Sequence, residues 1–254
     1  MENRYPLFAG GRILKKEALW DLRDRSFDGW GLLYGDYTDG VVRGCRVRVE
    51  GESLVIGTGI LKYGDFICFQ TGEAEVPFQA ENRPVALKAE FSVRQGNPDY
   101  TGYEWDFLLD ADMDLREGQI ELCRFHLRTG SVLRHTYKDF RDMLTEYDTV
   151  NLAHATISGR GKGRIHPEIL LRFAREMQEN GQKDAADMAF CYGIRGMAGE
   201  VEQDLVEAYL EDKGAELSEN ERSVEDMMSD MADIMESGNI RSRRGQRQKL
   251  IYVE

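Results

Sequence analysis

The chain has 254 residues, is 41% hydrophobic, and carries 33 basic against 46 acidic side chains for a net charge of −13. That apolar share supports one large core or a few small ones and excludes wholesale disorder, while the negative balance argues against binding nucleic acid or anionic membrane, both of which demand concentrated Lys and Arg. The first thirty residues lack the unbroken apolar run of an export signal, and no segment reaches the roughly 20 apolar residues of a membrane span, so the sequence predicts a protein that stays in the cytoplasm where it is made.

In chain order, LKKEALWDLRDRSF comes first, where Leu14, Leu19, Trp20 and Leu22 give a short, imperfect helical period, followed by an expected loop rich in glycine and aromatics. GVVRGCRVRVEGESLVIGTGILKYGDFICF then alternates strand-length runs with turns at Glu50-Gly51-Glu52, Gly57-Thr58-Gly59 and Tyr63-Gly64-Asp65. From Pro84 a second set of strands is predicted in VALKAEFSV, YEWDFLLDADMDL, QIELCRFHLRTG and SVLRHTY, with TYKDFRDMLTEYDTVN less regular.

After SGRGKGRIHP the period changes from 2 to 3.6. Pro167 suits a first helical turn, Ile169, Leu170, Phe173, Ala174 and Met177 share one face, and Gly181 suits the end. Residues 183–213 continue helical, with Gly193, Gly196 and Gly199 marking an interruption, and a last helix spans about Val224 to Met235. The fold class is therefore α+β: two N-terminal antiparallel β modules, each a meander or sandwich, followed by an α-helical C-terminal region. The expected limits are 1–78 with its leading helix, 79–164, an acidic helical region 165–239 and a basic arm 240–254. Residues 165–239 alone hold 6 basic and 19 acidic side chains, and residues 240–254 hold 5 and 1.

Five features invite a chemical reading. Asp110, Asp112, Asp114 and Glu121 stand at positions 1, 3, 5 and 12 of a calcium loop, but position 6 is Leu115 where a sharp turn needs glycine. The alternation of Trp105, Phe107, Leu109, Ala111, Met113 and Leu115 with Asp106, Asp110, Asp112 and Asp114 fits a half-buried strand with an acidic outer face, answered by Arg124 and Arg128 on the next strand. GRGKGR at 159–164 departs from the phosphate-loop pattern and reads as a flexible basic linker. His126, His135, His154 and His166 lack metal-ligand spacing, Cys45, Cys68, Cys123 and Cys191 lack a CxxC pair and read as buried free thiols, and no serine sits on a nucleophile elbow. Asp139 and Asp142 would share a helix face if their segment were helical. No enzyme activity, cofactor or metal is expected.

Partner binding is expected from two elements near the end of the chain. Val224, Met227, Met228, Met231, Ile234 and Met235 form a stripe at helical spacing that suits either a partner-binding seam or the core face of the helical region. Arg241, Arg243, Arg244, Arg247 and Lys249 form a cationic arm suited to a carboxylate surface, and LIYV after it has strand propensity suited to a neighbour's sheet edge.

Gly40, Val41, Val42 and Gly44, then Leu54, Val55, Gly57 and Gly59, then Gly64 and Phe66, form a pattern that resembles phage tail, baseplate and tail-fibre proteins. YEWDFLLDADMDLREGQIELCRFHLRTGSVLR resembles the second β unit of such proteins, so the resemblance covers about residues 30–135. It implies a structural component of a phage tail or related contractile injection particle, a baseplate or fibre-linking adaptor that binds other subunits and copies of itself. Two other roles suit such a particle. One is a carbohydrate- or receptor-binding module, stacking sugars on Trp30, Tyr34 and Tyr37; the other is a cell-wall hydrolase using Glu104 or Asp106.

Overall fold

The computed structural model describes residues 6, 8, 10–11, 13–97, 100–145, 147–180, 183–215 and 222–238. Helix α1 (Lys16–Tyr34) precedes six short strands, β1 (Gly40–Gly44), β2 (Val47–Glu50), β3 (Ser53–Ile56), β4 (Gly59–Tyr63), β5 (Phe66–Gln70) and β6 (Ala74–Pro77). These form two antiparallel three-stranded sheets of order β1-β4-β5 and β2-β3-β6. Three longer strands, β7 (Pro84–Asn97), β8 (Tyr100–Asp110) and β9 (Gln119–His126), form a third sheet with β7 in the middle. Strand β9 thus passes β8 and pairs with β7, so the second β unit is not a plain meander. Burial explains this order. Val85 to Ala89 in the first half of β7 are buried without interruption, so that part of the strand is covered on both faces, whereas β8 is exposed or half-buried wherever its side chains are described.

The helical region comprises α2 (Pro167–Asn180), α3 (Ala185–Gly196), α4 (Gln203–Asp212) and α5 (Val224–Ser237). On α2 the predicted face holds, since Ile169, Leu170, Phe173, Ala174 and Met177 have no accessible surface. Asp184 caps α3 by accepting from the Asp187 amide while Asp187 accepts from the Asp184 amide, and Ser223 caps α5 through the Asp226 amide. The glycine-marked interruption falls at 197–202, between α3 and α4, where Gly199 takes φ +81°. The mixed architecture is as the sequence predicts: antiparallel sheets first, helices after. Buried apolar side chains run as one cluster from Val41 through the sheets to Ile234 on α5.

Two expectations need correction. The loop expected after the leading helix is helical as far as Tyr34, because Trp30 and Tyr34 stack one turn apart with centroids 6.0 Å apart and Trp30 meets Phe69 edge-on at 5.0 Å. SVLRHTY is not a strand. It makes one isolated bridge, Arg134 to Thr149, since its neighbour at 147–151 is itself irregular. The segment after it is irregular as expected, with one 3-10 turn, Arg141–Leu144, among its described residues.

Candidate functional site

Strand β8 ends at Asp110, five residues before the alternating pattern does. There the carboxylate of Asp110 accepts from the Asp112 amide at 2.9 Å and that of Asp112 accepts from the Asp114 amide at 3.1 Å, so each aspartate closes a local turn that competes with strand pairing. The charge is answered by Lys88 and Arg116, not by Arg124 and Arg128. Lys88 Nζ lies 3.2 Å from Asp110 and Arg116 lies 3.3 Å from Asp112. Hydrogen bonds from the Asp112 amide and from Lys88 hold the Asp110 carboxyl below the usual carboxylate range. Glu121, the twelfth position of the calcium spacing, is buried and gripped by Arg124 through two bonds of 2.6 and 2.8 Å, and Arg128 is spent on Asp148. Sequence reasoning overlooked Lys88 because a lysine at an inward-facing position of a central strand runs against ordinary patterning. That violation was itself the available signal.

GRGKGR is pinned, and this corrects the flexible linker. Glu202 accepts from the Arg160 amide at 2.8 Å and from Arg164 at 3.1 Å, Lys162 reaches Glu207 at 2.6 Å, and Arg164 donates to the Tyr37 hydroxyl at 2.9 Å. The guanidinium groups of Arg160 and Arg164 also stand 5.7 and 5.0 Å from the Tyr37 ring centroid. The six-residue segment therefore joins the sheets to α4. The aromatic trio weighed for sugar stacking is packed internally: Tyr34 meets Tyr37 edge-on at 5.3 Å, and Trp30 is held between Tyr34 and Phe69.

The acid/base candidates are engaged as well. Asp139 caps the 3-10 turn by accepting from the Asp142 amide at 2.8 Å. Asp142 is held by Arg134 at 2.5 and 2.6 Å, which with the Lys138 amide keeps its carboxyl far below the range in which it would exchange a proton near neutrality. Glu104 pairs with Arg94 at 3.3 Å, and Asp106 accepts from the Phe107 amide. His154 lies 2.8 Å from Glu225, and burial lowers the His166 pKa to about 4, with its Nδ1 accepting from the Glu168 amide. The four cysteines are free and buried, and burial raises Cys45 to about 12 and Cys68 and Cys191 to about 11.

Of the partner-binding candidates, Met227, Met228 and Met231 have no accessible surface and belong to the chain's own core, with Met235 packed at its margin. The packing of α5 against α2, α4 and the 3-10 turn encloses the first three and leaves Met235 half-buried. Arg241, Arg243, Arg244, Arg247 and Lys249 lie outside the described residues.

The exposed apolar surface lies elsewhere. None of the 19 residues of α1 is buried, and Phe27, Leu32 and Leu33 are 67%, 88% and 62% exposed. Leu14, ahead of the helix, and Leu19, Trp20 and Leu22 within it are exposed as well.

No protein-family model matches the chain, and no curated protein matches its sequence. Among solved structures it is similar to the crystal structure of TssK, at 10% identity over 95% of this chain and 71% of that one, with a TM-score of 0.40. No helix among the described residues is long and apolar enough to cross a membrane.

Proposed function

We propose that the protein is a structural component of a phage tail or phage-tail-like contractile injection particle, a baseplate or fibre-linking adaptor that acts by protein–protein assembly. The observation that supports an assembly role is α1, a five-turn helix that buries none of its residues. A helix of that length gains little from propensity alone and is held by packing of an apolar face. Exposed apolar side chains gathered on one helix suit an interface. The occupant the proposal names is α1 of further copies of the chain. Its charged residues are balanced, three basic against four acidic, so copies approach there without the repulsion that their acidic bodies impose elsewhere. The kind of particle follows from the resemblance of residues 30–135, and the basic arm 240–254 supplies a second grip on a neighbouring subunit.

The test is made in the source organism. An affinity tag on this chain is expected to bring down assembled tail or injection particles visible by electron microscopy, and deleting the gene is expected to leave particles incomplete. Intact particles in the deletion strain, with the tagged chain recovered alone, would overturn the reading.

A further inference from the structure

A pocket of about 540 Å³ opens between β1, α2 and the residues leading from α3 to α4. Its wall is apolar, built from Val41, Val42, Ile157, Met143 and Leu171, with Tyr137. Five arginines line it, Arg43, Arg46, Arg164, Arg172 and Arg175, against two carboxylates, Glu168 and Glu200. In a chain of net charge −13 this is a local inversion of sign.

The sequence shapes its rim by a backbone kink. Gly44 and Cys45 both take positive φ, +73° and +49°, and a Cβ on Gly44 would fall 2.3 Å from the Thr58 oxygen, so the chain kinks at RGCR between β1 and β2 while keeping its register against β4 and β3, with Arg43 and Arg46 on either side of the kink.

The arginines divide into two sets. Arg164 is spent on Glu200, Glu202 and Tyr37, and Arg172 on Glu176 and the Lys138 carbonyl. Arg43 comes no nearer than 3.9 Å to Glu200, while the guanidinium groups of Arg46 and Arg175 meet no carboxylate at ion-pair distance among the described residues. All three are solvent-exposed. The pocket thus has an apolar floor, two fixed cations and three cations with donors to spare.

We infer that this pocket receives an acidic, amphipathic peptide segment of a partner protein, its apolar side chains on the Val41–Leu171 wall and its carboxylates on Arg43, Arg46 and Arg175. A volume near 540 Å³ is that of a small binding cleft, large enough for a few side chains. The first turn of α2 does not offer the amides a phosphate group would take, since Pro167 has none, the Glu168 amide donates to His166 Nδ1 at 3.2 Å and the Ile169 amide to the His166 carbonyl at 3.0 Å. A polyphosphate strand is disfavoured by the charge of the whole chain. Arginine forks over an apolar floor match carboxylates carried on a hydrophobic backbone.

The inference deepens the assembly reading by naming a partner chemistry, and it is tested on the isolated full chain so that its failure and the failure of the particle assay remain separate. The probe is a fluorescein-labelled peptide alternating leucine with glutamate, followed by anisotropy. Saturable binding that weakens with salt is expected, with affinity lowered at least about tenfold in Arg46→Glu/Arg175→Glu and by a smaller factor in Arg46→Lys/Arg175→Lys, which keeps the charge and loses the fork. Arg83→Glu/Arg94→Glu, which changes net charge equally on another surface, is expected to bind as the parent does. Absence of binding, equal loss in both charge-reversed pairs, or displacement of the peptide by inorganic pyrophosphate at concentrations where sodium chloride of equal ionic strength has no effect would each overturn the inference.

Discussion

The ammonium group of Lys88, which has no accessible surface, lies 3.2 Å from the carboxylate of Asp110 and 2.7 Å from the main-chain oxygen of Asp114. One buried cation on the central strand β7 thereby organises the acidic stretch that follows β8. Its stem crosses the apolar interior while its head neutralises the turn.

Lys88→Ala is expected to lower stability by about 3 kcal/mol, because it removes one partner of a pair whose cation is fully enclosed and opens a void along the stem. Lys88→Met keeps the stem and is expected to lose less, about 2 kcal/mol, a figure tempered by the 19% exposure of the Asp110 side chain. Urea denaturation of the two variants checks the order. The same geometry predicts that millimolar calcium leaves the melting temperature of the parent unchanged, since a lysine occupies the place among these oxygens that a cation would need.

Acid stability is predicted from a second cluster. Lys213, nearly buried, bonds Asp184 at 2.8 Å and Asp187 at 2.6 Å, and the Tyr209 hydroxyl donates to Asp187 at 2.8 Å. Hydrogen bonds from Lys213 and from the Asp187 amide lower the Asp184 pKa from 3.8 to about 2. Because the folded value is the lower one, this contribution is fully present above about pH 4 and is lost as the pH falls towards 2. Asp184→Asn retains a good helix cap but carries no charge. The stability gap between parent and variant should therefore be constant from pH 5 to 7 and shrink below pH 4, as read by denaturation at a series of pH values. A gap that widens in acid would show the opposite linkage.

The methionine stripe gives a prediction that separates packing from assembly. Met231→Ala empties a fully enclosed site and is expected to cost about 2–4 kcal/mol, whereas Met235→Ala at the margin of the core is expected to cost about 1 kcal/mol or less. Both losses should be independent of protein concentration, as measured by thermal unfolding over a hundredfold dilution.

Periodicity carried the secondary structure wherever one face is buried and one is wet. The α2 face from Ile169 to Met177, the glycine break at 197–202 and the turns at Gly51 and Gly64 are all legible for that reason. It misled at the aspartates after Leu109, where alternation continues but side chains of Asp110 and Asp112 bond their own backbone and end the strand. Charge pairing was the least legible layer. Arg124, which strand spacing sets opposite the aspartate ladder, instead holds Glu121, three residues away, while Lys162 and Arg164 find carboxylates some forty residues on. Such partners are chosen by the packing of elements, which local spacing does not encode. The pocket escaped sequence reading for the same cause, since Arg43 and Arg46 come from one end of the fold and Arg175 from another.

Helix α1 yields the remaining prediction. Phe27 and Leu22 are 67% and 50% exposed, so Leu22→Gln/Phe27→Gln removes apolar surface without emptying a buried site and keeps residues compatible with a helix. Thermal stability of the folded body should change by less than about 0.5 kcal/mol. Sedimentation equilibrium should nevertheless show at least tenfold weaker self-association than the parent, because the surface that copies share has been made polar. Trp30 behaves differently, since its edge-on contact with Phe69 ties the end of α1 to the sheet β1-β4-β5, and Trp30→Ala is expected to lower both stability and association. A parent chain that sediments as a monomer at every concentration, or a glutamine variant that associates as well as the parent, would remove α1 from the assembly surface.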